Sequence, residues 1–138
     1  MPRRLTLVVC AAVVVVACAP RKSGPQLQGA WAPDSAELGG GPLPVASFAG
    51  AILHLTDTTY DFGNDTGTVK LLAPGTPAMM DVLGRAGPNA GRTIPAIYRL
   101  TDTTLTIAYQ LAQGGARPAA FTTAKGTQEL VVRYRRMP

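Results

Sequence analysis

Apolar and polar residues alternate through the last third of the chain, and this limits what it can fold into more than any other feature. Ile94, Ala96, Tyr98 and Leu100 share one side of the segment Thr93 to Leu100. Leu105, Ile107 and Tyr109 share one side of the next, and Leu130, Val132 and Tyr134 one side of Glu129 to Arg136. Successive strand residues point to opposite faces, so a period of two marks strands with one buried face. Val131 interrupts that pattern with an apolar residue on the polar side. Pro95, which has no N–H for a ladder, predicts an edge, a strand start or a bulge. No window of 12 residues free of Pro and Gly carries an apolar stripe at 3.6-residue spacing, so long helices are not expected.

A five-residue word separates such strands twice. Leu55-Thr56-Asp57-Thr58-Thr59 recurs 45 residues later as Leu100-Thr101-Asp102-Thr103-Thr104, each copy flanked by strand-like residues. Asp and Thr side chains bond nearby backbone groups, so both copies predict hairpin tips. The sequence between them does not repeat, which argues against a solenoid. Val69 to Leu72 and Met79 to Leu83 predict further strands. Leu43 to Gly50 has room for one helical turn, and Arg85 to Arg92, with Gly87-Pro88-Asn89 and Gly91, reads as a loop.

The amino terminus has a different character. Arg3 and Arg4 precede 13 residues, Leu5 to Ala17, that are apolar except for Thr6. About 20 residues are needed to cross a bilayer, so this is the core of a secretory signal and not a membrane span. Val15-Val16-Ala17-Cys18 resembles a bacterial lipobox: a small residue stands beside the cut, and the Cys18 thiol accepts the diacylglycerol. Cys10 lies inside the apolar core and is the poorer candidate. The expected organisation is a signal peptide at 1–17, a lipidated Cys18 with a tether at 18–26, and one folded domain at 27–138. The eight residues Ala19 to Gln26 reach at most about 25–30 Å. Ala19 is not the aspartate that would suggest inner-membrane retention, so an outer membrane, where the cell has one, is the expected site. Without residues 1–17 the chain has no second cysteine for a disulfide and must fold on its core alone. It would carry 11 basic against 8 acidic residues, a net charge of +3. The basic residues near the two ends suit a solvated strand face or anionic lipid, and nucleic acid is not an expected partner.

No catalytic constellation emerges. His54, the single histidine, points opposite to Leu53 and Leu55, and no carboxylate stands at a metal-ligand spacing from it. Ser23 lies in the expected tether, Ser35 and Ser47 are read as lying in irregular segments, and there is no Gly-x-Ser-x-Gly elbow. Asp57, Asp61 and Asp65 lack the closer spacing, central Gly and distal Glu of a calcium loop. Gly39-Gly40-Gly41 is followed by neither the lysine nor the helix start of a phosphate loop. Neither enzymatic activity nor a metal or cofactor is expected.

Trp31 stands in Leu27-Gln28-Gly29-Ala30-Trp31 on the first strand of the folded part. Gly-x-Trp in that place resembles the lipocalin signature, in which the Trp plugs the closed end of a barrel beneath a basic residue of the last strand. Arg133 or Arg135 would supply that cation. The resemblance extends through Gly41-Pro42-Leu43-Pro44, Gly87-Pro88-Asn89-Ala90-Gly91-Arg92-Thr93, Ile97-Tyr98-Arg99-Leu100, Leu105-Thr106-Ile107, Arg117-Pro118-Ala119-Ala120-Phe121 and Leu130 to Arg135. In order and spacing these words are similar to a family of small lipocalin-like domains from planctomycete-type bacteria, whose members usually carry Asp-Gly hairpin tips where this chain has Thr-Asp-Thr-Thr. The resemblance implies a fold and transfers no catalytic residue. The expectation is therefore an all-β protein, a small antiparallel lipocalin-like barrel of about eight strands, lipid-anchored to a bacterial envelope. Such barrels either fill with side chains or hold one small ligand. Tyr98, Tyr109 and Tyr134 are the candidate polar points of a pocket for an apolar or amphiphilic molecule. The alternative is a structural or interaction lipoprotein with a packed barrel and no ligand.

Overall fold

The computed structural model describes residues 26–138. The leader, Cys18 and the tether as far as residue 25 lie outside the described residues. Nine strands follow in order: β1 (Gly29–Leu38), β2 (Gly41–Leu43), β3 (Leu53–Leu55), β4 (Thr59–Phe62), β5 (Asp65–Leu71), β6 (Ala78–Ala86), β7 (Thr93–Leu100), β8 (Thr104–Gln110) and β9 (Glu129–Arg136). Helical structure among the described residues is one 3-10 turn, Val45–Phe48, in the segment expected to hold it.

Each strand from β3 to β9 pairs antiparallel with the next, β3 pairs with β1, and β9 returns to β1. Eight strands thereby close into a barrel, and β2 adds a ninth against the far half of β1. One device lets β1 serve three partners. Between Pro33 and Ser35 its register with β9 slips by a residue. The bulge bends the strand and reverses its parity, so that Trp31 faces inward before it and Ala36 after it. Before the bulge β1 pairs with β3, and after it with β2.

The three alternating segments become β7, β8 and β9, with the expected faces inward. Ile94, Ala96, Leu105, Ile107, Val132 and Tyr134 are all buried in one core. The outward face carries His54, Asp61, Lys70, Arg99, Arg133 and Arg135, all exposed. An apolar interior under a charged wall is the reverse of a membrane-spanning barrel, whose outer band is apolar. Both Thr-Asp-Thr-Thr words are hairpin tips, linking β3 to β4 and β7 to β8. Pro95 lies within β7, where pairing with β8 has not yet begun; that register starts at Ala96 opposite Tyr109.

Val131 has a physical reason to be apolar. With Ile97 and Ala108 it forms a second, smaller core on the outside of the barrel, against Met79 and Phe121. Phe121 belongs to the long connection between β8 and β9, which runs over the outer wall. Arg117 fastens this strap, donating to the carbonyls of Met80 (2.7 Å) and Ala96 (2.9 Å) and to the Asp81 carboxylate (2.5 Å). Arg99 stacks on the Phe121 ring at 4.6 Å.

Trp31 closes one end. It is fully buried, and its indole N–H donates to the Leu27 carbonyl at 3.0 Å. The cation over its ring is Arg136, at 4.1 Å, and neither Arg133 nor Arg135. Arg133 and Arg135 have outward parity on β9, and Arg135 lies 3.6 Å from the exposed Asp34. Arg136 continues the inward series Leu130, Val132, Tyr134 and stands directly opposite Trp31 in the register. Its guanidinium also donates to the carbonyls of Asp102 (3.0 Å), Gln28 (3.1 Å) and Gln26. One side chain thus ties the plug, the incoming chain and the β7–β8 tip together.

Candidate functional site

Above the plug the barrel is not full. A cavity of about 620 Å³ runs from the middle of the barrel to the end opposite Trp31. Its walls come from alternate residues of strands already set by parity, among them Leu53, Val69, Met80, Val82, Ile94 and Ile107. Its mouth lies between the segment after the 3-10 turn, the β4–β5 turn at Gly63 and Asn64, and the β6–β7 loop at Pro88 and Asn89. Phe48 at this rim packs edge-on against Phe62, ring centroids 5.6 Å apart.

Two glycines shape the wall beside it. Gly67 on β5 faces Tyr60 on β4 and Gly84 on β6. A Cβ on Gly67 would stand 2.0 Å from the Leu83 carbonyl oxygen and 2.7 Å from the Tyr60 ring, and one on Gly84 would stand 1.8 Å from the Asn89 oxygen. Their bare backbones let the Tyr60 ring and the Pro88-Asn89 loop approach closely.

Polar groups meet the cavity at two depths. At the mouth, Tyr60 Oη donates to Asp65 Oδ1 at 3.0 Å, and Asn89 Nδ2 donates to the other carboxylate oxygen at 2.5 Å. Arg92 then donates to Asn89 Oδ1 at 3.1 Å and to the Leu111 carbonyl. Deeper, the hydroxyls of Tyr109 and Tyr134 bond each other at 2.9 Å. Burial raises the pKa of both, and Tyr109 is pushed further by its Tyr134 partner and by the charge of Asp65. Tyr60 is raised by burial and by its bond to Asp65. These phenols are neutral at physiological pH.

Of the three expected tyrosines, Tyr109 and Tyr134 line the cavity and Tyr98 does not. Tyr98 faces the same core but pairs with Ala78, the first residue of β6, so its ring sits where the wall ends. It borders a shallower groove with Pro77, Arg99 and Phe121. Sequence reasoning missed Tyr60, Asp65, Asn89 and Arg92. The repeated word held a signal for Tyr60: it follows Thr59 as Leu105 follows Thr104, and Leu105 faces inward. Asp65, Asn89 and Arg92 project from loops and strand ends, where alternation carries no information. Asp57, Asp61 and Asp65 are not brought together: the first is on a hairpin tip, the second points outward on β4, and the third is in the mouth. No group of three or more metal-ligating side chains gathers among the described residues.

No protein-family model, curated protein or solved structure matches the chain.

Proposed function

We propose that this chain is a membrane-anchored extracytoplasmic lipoprotein whose lipocalin-like barrel binds a small apolar or amphiphilic molecule. The observation that carries the binding reading is the cavity. Small-molecule sites occupy about 300–1,000 Å³ and are lined by apolar side chains with a few fixed polar groups. A space of about 620 Å³ with Tyr109, Tyr134 and the Asp65–Asn89–Arg92 rim has that character. A barrel serving only as a structural or interaction module has no need of an open lumen, since filling it with larger side chains would add stability. The family resemblance from Leu27 to Arg135 belongs to the same proposal.

Attachment rests on the leader and its Val15-Val16-Ala17-Cys18 motif. No helix among the described residues is long and apolar enough to cross a membrane, and the proposed anchor is the lipid on Cys18. One acyl chain binds membranes marginally, while two or more hold firmly. Metabolic labelling with an alkyne fatty acid checks this: wild type takes up label and Cys18→Ser takes up none, whereas equal labelling overturns the anchor.

For the cavity, titration with an environment-sensitive fatty-acid probe is expected to saturate at one probe per chain. A bulky substitution from the wall into the lumen, Val82→Trp, should abolish the signal while the strand content by circular dichroism is kept. Absence of binding by varied apolar probes would overturn the reading.

A further inference from the structure

The two deep hydroxyls leave one proton over. Tyr109 and Tyr134 bring two O–H protons, and their mutual bond at 2.9 Å uses one. Neither hydroxyl has another hydrogen-bond partner among the described residues, and both side chains line the cavity. Whichever phenol donates to the other, the second O–H has its acceptor still to find, in a chamber whose walls are mostly apolar. Water can take that proton while the barrel is empty. A ligand that expels the water must offer an oxygen in its place, because a buried donor left unpaired costs affinity.

The charge nearby decides what kind of oxygen. Asp65 faces the same cavity, and its carboxylate is fixed in place by Tyr60 and Asn89. A second carboxylate pushed to the depth of the tyrosines would meet like charge with little water to screen it. Of the charged groups at the rim, Asp65 is the one whose charge is felt at Tyr109, while Arg92 is engaged with Asn89 and the Leu111 carbonyl.

We propose that the preferred ligand is an uncharged, apolar-chained molecule bearing an acceptor oxygen, such as an ester or a ketone, seated with that oxygen against the Tyr109–Tyr134 pair. This deepens the binding reading above and rests on it. The rival arrangement is a carboxylate amphiphile held head-outward at Arg92, with its tail in the lumen.

Three probes of equal chain length separate these arrangements: methyl laurate, laurate and dodecane. Each competes against a fluorescent amphiphile on the mature lipidated protein in phospholipid nanodiscs, with empty discs as the blank. The competition is run at about pH 9, where laurate is mostly ionised even though the bilayer raises its carboxyl pKa. Methyl laurate is expected to bind at least about tenfold more tightly than either of the others, the scale of one satisfied hydrogen bond. Tyr109→Phe and Tyr134→Phe each leave one hydroxyl with a free proton, so each single variant keeps most of that preference. The double variant should lose it, with methyl laurate falling to the affinity of dodecane and dodecane itself unchanged. Unchanged dodecane binding also shows that the double variant is folded. Two results overturn the inference while leaving a binding barrel: laurate binding most tightly and weakening in Arg92→Gln, or the methyl laurate preference surviving in the double variant. Failure of all three probes overturns the binding reading itself.

Discussion

Two adjacent arginines on β9 have unequal energetic weights. Arg135 is an exposed side chain 3.6 Å from an equally exposed Asp34, and surface pairs of this kind contribute about 0–1 kcal/mol. Arg136 stacks on Trp31 and donates to three backbone carbonyls. Arg136→Ala is therefore expected to cost about 2 kcal/mol, from the cation–π contact and the lost charge-assisted bonds. Arg135→Ala should cost less than about 1 kcal/mol. Trp31→Ala removes the plug itself and should cost about 3–5 kcal/mol. Urea midpoints on the three variants check the order, and an Arg135 effect larger than that of Arg136 would contradict it. The tyrosines allow a second test at this scale. Tyr60, Tyr98, Tyr109 and Tyr134, the four in the chain, all have folded pKa values raised by burial. A pKa raised in the folded state means that the neutral form stabilises the fold, and that this stabilisation is complete below the unfolded pKa. The tyrosine contribution to stability should thus be complete up to about pH 10, the unfolded tyrosine value, and be lost as pH rises above it. The tyrosinate absorbance should grow only as the near-ultraviolet circular dichroism collapses. Titration of folded protein with an ordinary midpoint would show that the phenols are open to water.

At the level of elements, the two Thr-Asp-Thr-Thr tips share the same threonine–threonine contacts. In the first, the Thr56 and Thr59 hydroxyls lie 2.5 Å apart and the Thr59 N–H donates to Thr56 Oγ1 at 2.9 Å. In the second, the same contacts between Thr101 and Thr104 measure 2.6 Å and 3.0 Å. In each tip the threonine side chain reinforces the backbone bond that spans the turn, Thr56 N–H to the Thr59 carbonyl and Thr101 N–H to the Thr104 carbonyl, so Thr101→Ala should cost about 1 kcal/mol. These hairpins and the faces of β7, β8 and β9 were legible because their determinants are local: a turn word and a period of two. The bulge in β1 was not, because it is fixed by simultaneous pairing with β2, β3 and β9. Nor was the strap. Arg117 and Phe121 sit in a stretch without periodicity, and only the misplaced apolar Val131 hinted at a second core outside the barrel. Within the site, Tyr109 and Tyr134 could be read from strand parity. The rim could not, since loop geometry decides where Asp65, Asn89 and Arg92 point. The strap is the element whose worth is easiest to measure. Arg117→Met keeps the aliphatic stem and removes three hydrogen bonds, and the loss should be about 2–3 kcal/mol after allowing for partial exposure of the pair with Asp81. Limited proteolysis should then cut between β8 and β9 before any other site; an unchanged cleavage pattern would mean that Phe121 alone holds the strap.

At the scale of the whole molecule, the two ends of the barrel have different relations to the proposed anchor. The described chain enters at the closed end. Gln26 accepts from Arg136, the Leu27 carbonyl accepts from Trp31, and Gln28 reaches Asp57 on the β3–β4 tip. The cavity opens at the other end. A lipid on Cys18 would be joined to that closed end by eight residues, Ala19 to Gln26, with a reach of about 25–30 Å. A seven-residue strand such as β8 runs about 23 Å. To present its mouth to the bilayer, the domain would have to spend nearly all of the tether running back along its own wall, at a cost in chain entropy. We therefore expect the plug to face the anchoring membrane and the mouth to face the aqueous compartment, so that a ligand arrives from solution or from another protein and is not drawn from the anchoring leaflet. The mature chain would have no free thiol once Cys18 is acylated, so single cysteines can be placed at will. Thr103→Cys puts a fluorophore on the closed-end tip and Ala49→Cys puts one at the mouth. With the lipidated protein in vesicles carrying a headgroup quencher, the Thr103 label should be quenched several-fold more than the Ala49 label. Stronger quenching at Ala49 would reverse the orientation and make the anchoring bilayer the direct source of the ligand.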